Sequence, residues 1–134
     1  MDNPPFFKKF GAVLHDVKTT YPRGATVSVT FVGANPRNNL RLEGSYAVVE
    51  KQVGQGWEVL RDDSDWGLVF NWRRVSTVLG TSEVEIVWET VLGEEGAEIE
   101  EDAGVYRIRY MGDSRAISGE ITAFEGVSGE FRLE

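Results

Sequence analysis

Apolar and polar residues alternate with a period of two in several short runs separated by turn-forming residues, the pattern of strands with one buried and one wet face. Over 25–31, Val27, Val29 and Phe31 fall on one face and Thr26, Ser28 and Thr30 on the other. Leu68, Phe70 and Trp72 alternate with Val69, Asn71 and Arg73, and Val84, Ile86 and Trp88 with Glu83, Glu85 and Glu89. Asp102-Ala103-Gly104 then turns the chain into a strand whose Tyr106, Ile108 and Tyr110 oppose Arg107 and Arg109. Residues 45–53 and 57–60 flank Gly54-Gln55-Gly56 and predict a hairpin. Residues 12–17 predict a weak first strand that Tyr21-Pro22-Arg23-Gly24 ends, and 120–125 and 129–133 predict the last strands. No amphipathic helix and no internal repeat is evident.

Short strands of this kind need a second layer to bury their apolar faces, which predicts an all-β, immunoglobulin-like β-sandwich of about seven to eight antiparallel strands. In such sandwiches a tyrosine near the start of strand F folds its hydroxyl back onto the chain just upstream, and in antibody domains a cysteine follows two residues later. Tyr106 fits this tyrosine, with Asp102 and Gly104 shaping the entry, and Ile108 stands in the cysteine position. The chain has no cysteine, so the sandwich holds without a disulfide. Residues 1–10 read as a leader or linker whose Phe6, Phe7 and Phe10 are too aromatic for a free tail, and 11–134 as the one domain.

The net charge of −8 argues against electrostatic binding to nucleic acid. No apolar run reaches the length of a transmembrane span, and the first residues lack the features of a signal peptide. The single histidine, His15, has no cysteine or second histidine to complete a nucleophile pair or a zinc set, and Glu94, Glu95, Glu98, Glu100, Glu101 and Asp102 read as a solvated acidic loop. There is no phosphate-binding glycine loop and no nucleophile elbow, so no catalytic residue is assigned. Trp57, Trp72 and Trp88 sit in phase with neighbouring apolar positions and are expected in the core, Trp72 as a structural residue; Trp66, after Asp65, is expected at the surface.

Several stretches together resemble the C-terminal domain of neutral ceramidases. They are Phe31-Val32-Gly33-Ala34-Asn35-Pro36-Arg37-Asn38-Asn39-Leu40-Arg41, Val48-Val49-Glu50, Trp57, Asp65-Trp66 leading to Trp72, Gly104-Val105-Tyr106-Arg107-Ile108-Arg109-Tyr110, and Phe124-Glu125-Gly126. The resemblance implies a noncatalytic immunoglobulin-like domain attached to a larger N-terminal domain that uses zinc to hydrolyse the amide of ceramide, giving sphingosine and fatty acid. It needs no cofactor in this chain, and implies an extracellular or secretory setting close to a membrane surface. Bacterial relatives hold a divalent cation between the domains through an Asp-Trp-Glu-Thr segment. Here Asp65-Trp66-Gly67-Leu68 keeps the aspartate and loses the threonine oxygen, leaving Asp65 as a weak metal candidate. Asn35, Pro36, Arg37, Asn38, Arg41, Asp65 and Trp66 are the candidate contacts to the partner domain, because loops gather at sandwich ends. The competing reading is an independent carbohydrate- or lipid-binding module that stacks its ligand on the tryptophans.

Overall fold

The alternation at 26–33 builds a central strand, and the rest of the architecture is arranged around it. In the computed structural model, which describes residues 9–34, 46–62, 67–76, 81–91, 103–115 and 118–134, every regular element is a strand. In chain order these are β1 (Val13–His15), β2 (Thr20–Tyr21), β3 (Thr26–Gly33), β4 (Ala47–Val53), β5 (Gly56–Asp62), β6 (Leu68–Ser76), β7 (Thr81–Glu89), β8 (Gly104–Arg115), β9 (Ile121–Val127) and β10 (Phe131–Leu133). One sheet has the order β1-β3-β7-β6; the other runs β2-β10-β8-β4-β5, with β9 also on β8. Immunoglobulin-like sandwiches place strands A, B, E and D in one layer and C, F and G in the other. β1, β3, β7 and β6 take the first set, while β4, β8 and the β9/β10 pair take the second, extended by β5.

The described residues hold ten strands, more than the seven to eight expected, because two edge strands are each broken in two. The first strand leaves β3 after His15 and resumes as β2, which pairs in parallel with β10 in the opposite sheet. The last strand is interrupted at 128–130, where Ser128 closes the gap: its N–H donates to the Ile108 carbonyl (2.8 Å), and its hydroxyl accepts from the Ile108 N–H (2.9 Å). Asp16 Oδ1 accepts from Gly129 N–H at 2.9 Å, so the two breaks are fastened to each other.

The inward faces of both sheets meet in one core. Val27, Val29 and Phe31 from β3, Val84, Ile86 and Trp88 from β7, and Tyr106, Ile108 and Tyr110 from β8 are all buried, as the alternation predicts. Trp88 lies 5.3 Å from the Tyr106 ring and 6.1 Å from Phe131, filling one end of the sandwich. Tyr110 fills the other end, with Phe31 at 5.5 Å, Phe124 at 5.4 Å and Phe70 at 5.8 Å. Ahead of β1, Phe10 stacks on Phe124 at 5.3 Å, so this aromatic packs against the sandwich. Gly11, at φ 83°, and Gly126 bring their backbones into direct contact, and a Cβ on either would collide with the main chain of the other's segment.

Candidate functional site

A cluster of charged residues lies on the outward face of the β4/β5/β8/β9 layer. Antiparallel register makes Glu50 and Arg107 direct neighbours, as it does Tyr110 and Gly126, so Arg107, Arg109 and Glu125 project from the face that Glu50 occupies. Glu50 Oε1 accepts from Arg107 Nε at 2.7 Å and from Arg109 Nε at 3.1 Å, and Arg109 Nη1 donates to Glu125 Oε2 at 2.8 Å. The Glu50 side chain is only 11% exposed, so one carboxylate holds two guanidiniums where water screens them incompletely. Arg107 also lies over the Trp57 ring, 4.0 Å from its centroid, a distance at which the ring face attracts the cation.

That placement corrects the expectation for Trp57. It pairs with Gln52 in the β4–β5 register, and Gln52 shares its face with Glu50, so Trp57 belongs to the outer surface rather than the core. Trp88 is fully buried, and Trp72 packs partly buried against the core with the Arg74 guanidinium 5.1 Å from its ring centroid. Tyr106 is 0% exposed near the start of β8, the F position. A Cβ on Gly104 would come within 3.6 Å of its Cε2 and 3.8 Å of its hydroxyl, so the ring folds back along the chain toward the turn that precedes it.

The candidate interface residues Asn35, Pro36, Arg37, Asn38, Arg41, Asp65 and Trp66 lie outside the described residues, as do Asp102 and the acidic run at 94–102. Leu68, which follows the Asp65-Trp66 pair by two residues, is 2% exposed and belongs to the core. His15 is exposed on the edge strand β1. Among the described residues no three His, Cys, Asp or Glu side chains converge as a metal site would require. Sequence reading passed over Glu50, Arg107, Arg109 and Glu125 because the pairs that define the cluster are up to 59 residues apart. The available signal was the arginine alternation on β8 itself, a charged face on a central strand that must find counter-charges.

Comparison with known proteins settles the family. The family model described as "Neutral/alkaline non-lysosomal ceramidase, C-terminal" matches residues 1–133. The chain belongs to this family. It is 41% identical to neutral ceramidase 2 of Arabidopsis thaliana over 134 residues, covering 98% of this chain and 17% of that protein. Against the neutral ceramidase of Mycobacterium tuberculosis the identity is 37% over 124 residues, covering 92% of this chain and 18% of the relative. The crystal structure of neutral ceramidase from Pseudomonas aeruginosa superposes with a TM-score of 0.86 at 28% identity, over 99% of this chain and 20% of that one. The ceramidase C-terminal domain thus spans about one sixth of the curated relatives it matches.

Proposed function

We propose that this chain is the noncatalytic C-terminal β-sandwich of a neutral ceramidase, packing against and supporting an N-terminal domain that hydrolyses the ceramide amide to sphingosine and fatty acid. The observation that carries this reading is the match of a C-terminal family model along nearly the whole chain, which itself covers only 16–18% of relatives named neutral ceramidase. The zinc that the family resemblance implies does not fit the described residues. The chain has no cysteine, its one histidine is exposed on an edge strand, and among the described residues no three donor side chains converge. On this reading no step of hydrolysis is assigned to this chain, and zinc would be held by the N-terminal domain of the parent protein. An extracellular or secretory setting near a membrane surface follows from the same family reading.

The independent-module reading draws no support from the described tryptophans. Trp57 has Arg107 over its ring, Trp72 has Arg74 over its ring, and Trp88 is buried, so each is already engaged within the sandwich.

The deciding experiment assays the purified chain on ceramide with and without added zinc, beside the parent polypeptide with and without this domain. Expected are no fatty-acid release by the chain, and a lower melting temperature and soluble yield when the parent loses the domain. Zinc-dependent turnover by the chain itself overturns the noncatalytic reading. Unchanged stability of the truncated parent overturns the supporting role.

A further inference from the structure

Where the first strand crosses to the second sheet, it helps to build an open depression of about 460 Å³ on that sheet's outer surface. β2 pairs in parallel with β10 so that Thr20 lies opposite Arg132, and β10 pairs with β8 so that Arg132 lies opposite Val105. Phe131 and Leu133 are buried in the core, so Arg132 between them points outward, and Thr20, Arg132 and Val105 form one row across the sheet. Gln52, on the same face as Glu50, lines the depression together with Thr19 and Glu130. Val105 is half-buried and the other five are exposed, so polar side chains surround a small apolar patch.

Two of these side chains carry opposite charges that the fold does not neutralise. Arg73, Arg107 and Arg109 hold carboxylates, and Arg74 lies over the Trp72 ring. Arg132 and Glu130, two positions apart, form no ion pair with each other or with another described residue.

Charge selects the ligand. An anion at Arg132 meets the Glu130 carboxylate and the field of a chain with net charge −8, and a cation at Glu130 meets the Arg132 guanidinium. One carboxylate beside an arginine does not supply the oxygen set that a divalent cation requires. A neutral sugar leaves both charges unanswered. A ligand that carries both signs satisfies both side chains and adds no net charge. Around its anionic end stand the planar fork of Arg132 and the hydroxyl of Thr20 on the neighbouring strand, with the Thr19 hydroxyl and the Gln52 amide lining the same depression. That many donors suit the several oxygens of a phosphate.

We propose that this depression binds a small zwitterion of the phosphate–ammonium class, with its phosphate between Arg132 and Thr20 and its ammonium at Glu130. The site is independent of the catalytic reading, because every residue in it belongs to this chain.

The test titrates phosphocholine into the ¹⁵N-labelled chain at constant ionic strength. Saturable amide shifts are expected at Thr20, Val105 and Arg132, with half-saturation on the order of 10 mM. Choline alone and inorganic phosphate alone should bind at least about five-fold more weakly, since each answers one charge and meets the other. Arg132→Gln should abolish the shifts and leave the rest of the spectrum unchanged. Glu130→Gln should weaken phosphocholine and strengthen inorganic phosphate, because the opposing carboxylate is gone. Phosphatidylcholine vesicles separate two sources of the same chemistry: broadening of these amides on vesicles assigns a lipid headgroup, and a response to free phosphocholine alone assigns a soluble ester. The proposal is overturned by an absence of saturable shifts up to about 50 mM phosphocholine. Equal binding of phosphate alone, or shifts that persist unchanged in both variants, overturns it as well.

Discussion

The two faces of β8 solve opposite problems with alternating residues of one strand. Inward, Tyr106, Ile108 and Tyr110 are at most 1% exposed; the two tyrosines meet Trp88 and Phe31 across the sandwich and Phe131 and Phe124 on neighbouring strands of their own sheet. Outward, Arg107 and Arg109 are 22–23% exposed and share the Glu50 carboxylate. Inner-face stabilisation scales with apolar area removed from water and is insensitive to salt. On the outer face it is a Coulombic gain set against desolvation, so it is smaller and partly screened. Substitutions on the two faces should therefore separate by both magnitude and salt dependence.

The largest effect is expected at Trp88. Truncation to alanine removes a fully buried indole between Tyr106 and Phe131 and should cost about 3–5 kcal/mol in urea melts, nearly independent of salt. A loss below about 1 kcal/mol would mean that the aromatic end of the sandwich repacks freely and is not its anchor. Next comes Tyr106→Phe, which keeps the ring and removes a buried hydroxyl. If that hydroxyl makes the corner bond, the loss should be roughly 1–3 kcal/mol, and no change beyond experimental error would remove the corner assignment.

On the outer face, Glu50→Gln leaves two guanidiniums without their shared charge and should cost about 1–2 kcal/mol, shrinking as salt is raised. A loss that is the same at low and high ionic strength would show that Glu50 acts through packing alone. The smallest effect belongs to Arg73→Ala. Its pair with Glu83 has an arginine side chain 59% exposed, and removal should change stability by no more than about 0.5 kcal/mol. A larger loss would place this edge of β6 among the structural elements, against the comparison drawn here.

Much of the inner face was legible in the sequence because burial on a strand leaves a local signature. The alternations at 26–31, 84–88 and 106–110 map directly onto the buried faces of β3, β7 and β8. Trp57 shows where that signature fails. It sits within an apolar-looking run, yet cross-strand pairing with Gln52 turns it outward, and Arg107, brought alongside on β8, covers its ring. The candidate contacts at 35–41 and 65–66 rest on loop chemistry and family likeness, and they lie outside the described residues.

What the sequence alone determined was the class of element, the inward sets of β3, β7 and β8 and the family, since each depends on residues close together in the chain or on their order along it. Tertiary structure alone decided which strands became neighbours. It split the first and last strands, joined β2 in parallel to β10, and set Glu50 between two arginines of β8. The physical reason is that alternation records which side of a strand is buried but not which strand lies beside it. Partner choice is settled by hydrogen bonds and charge pairs between residues many positions apart, and these exist only once the layers have closed.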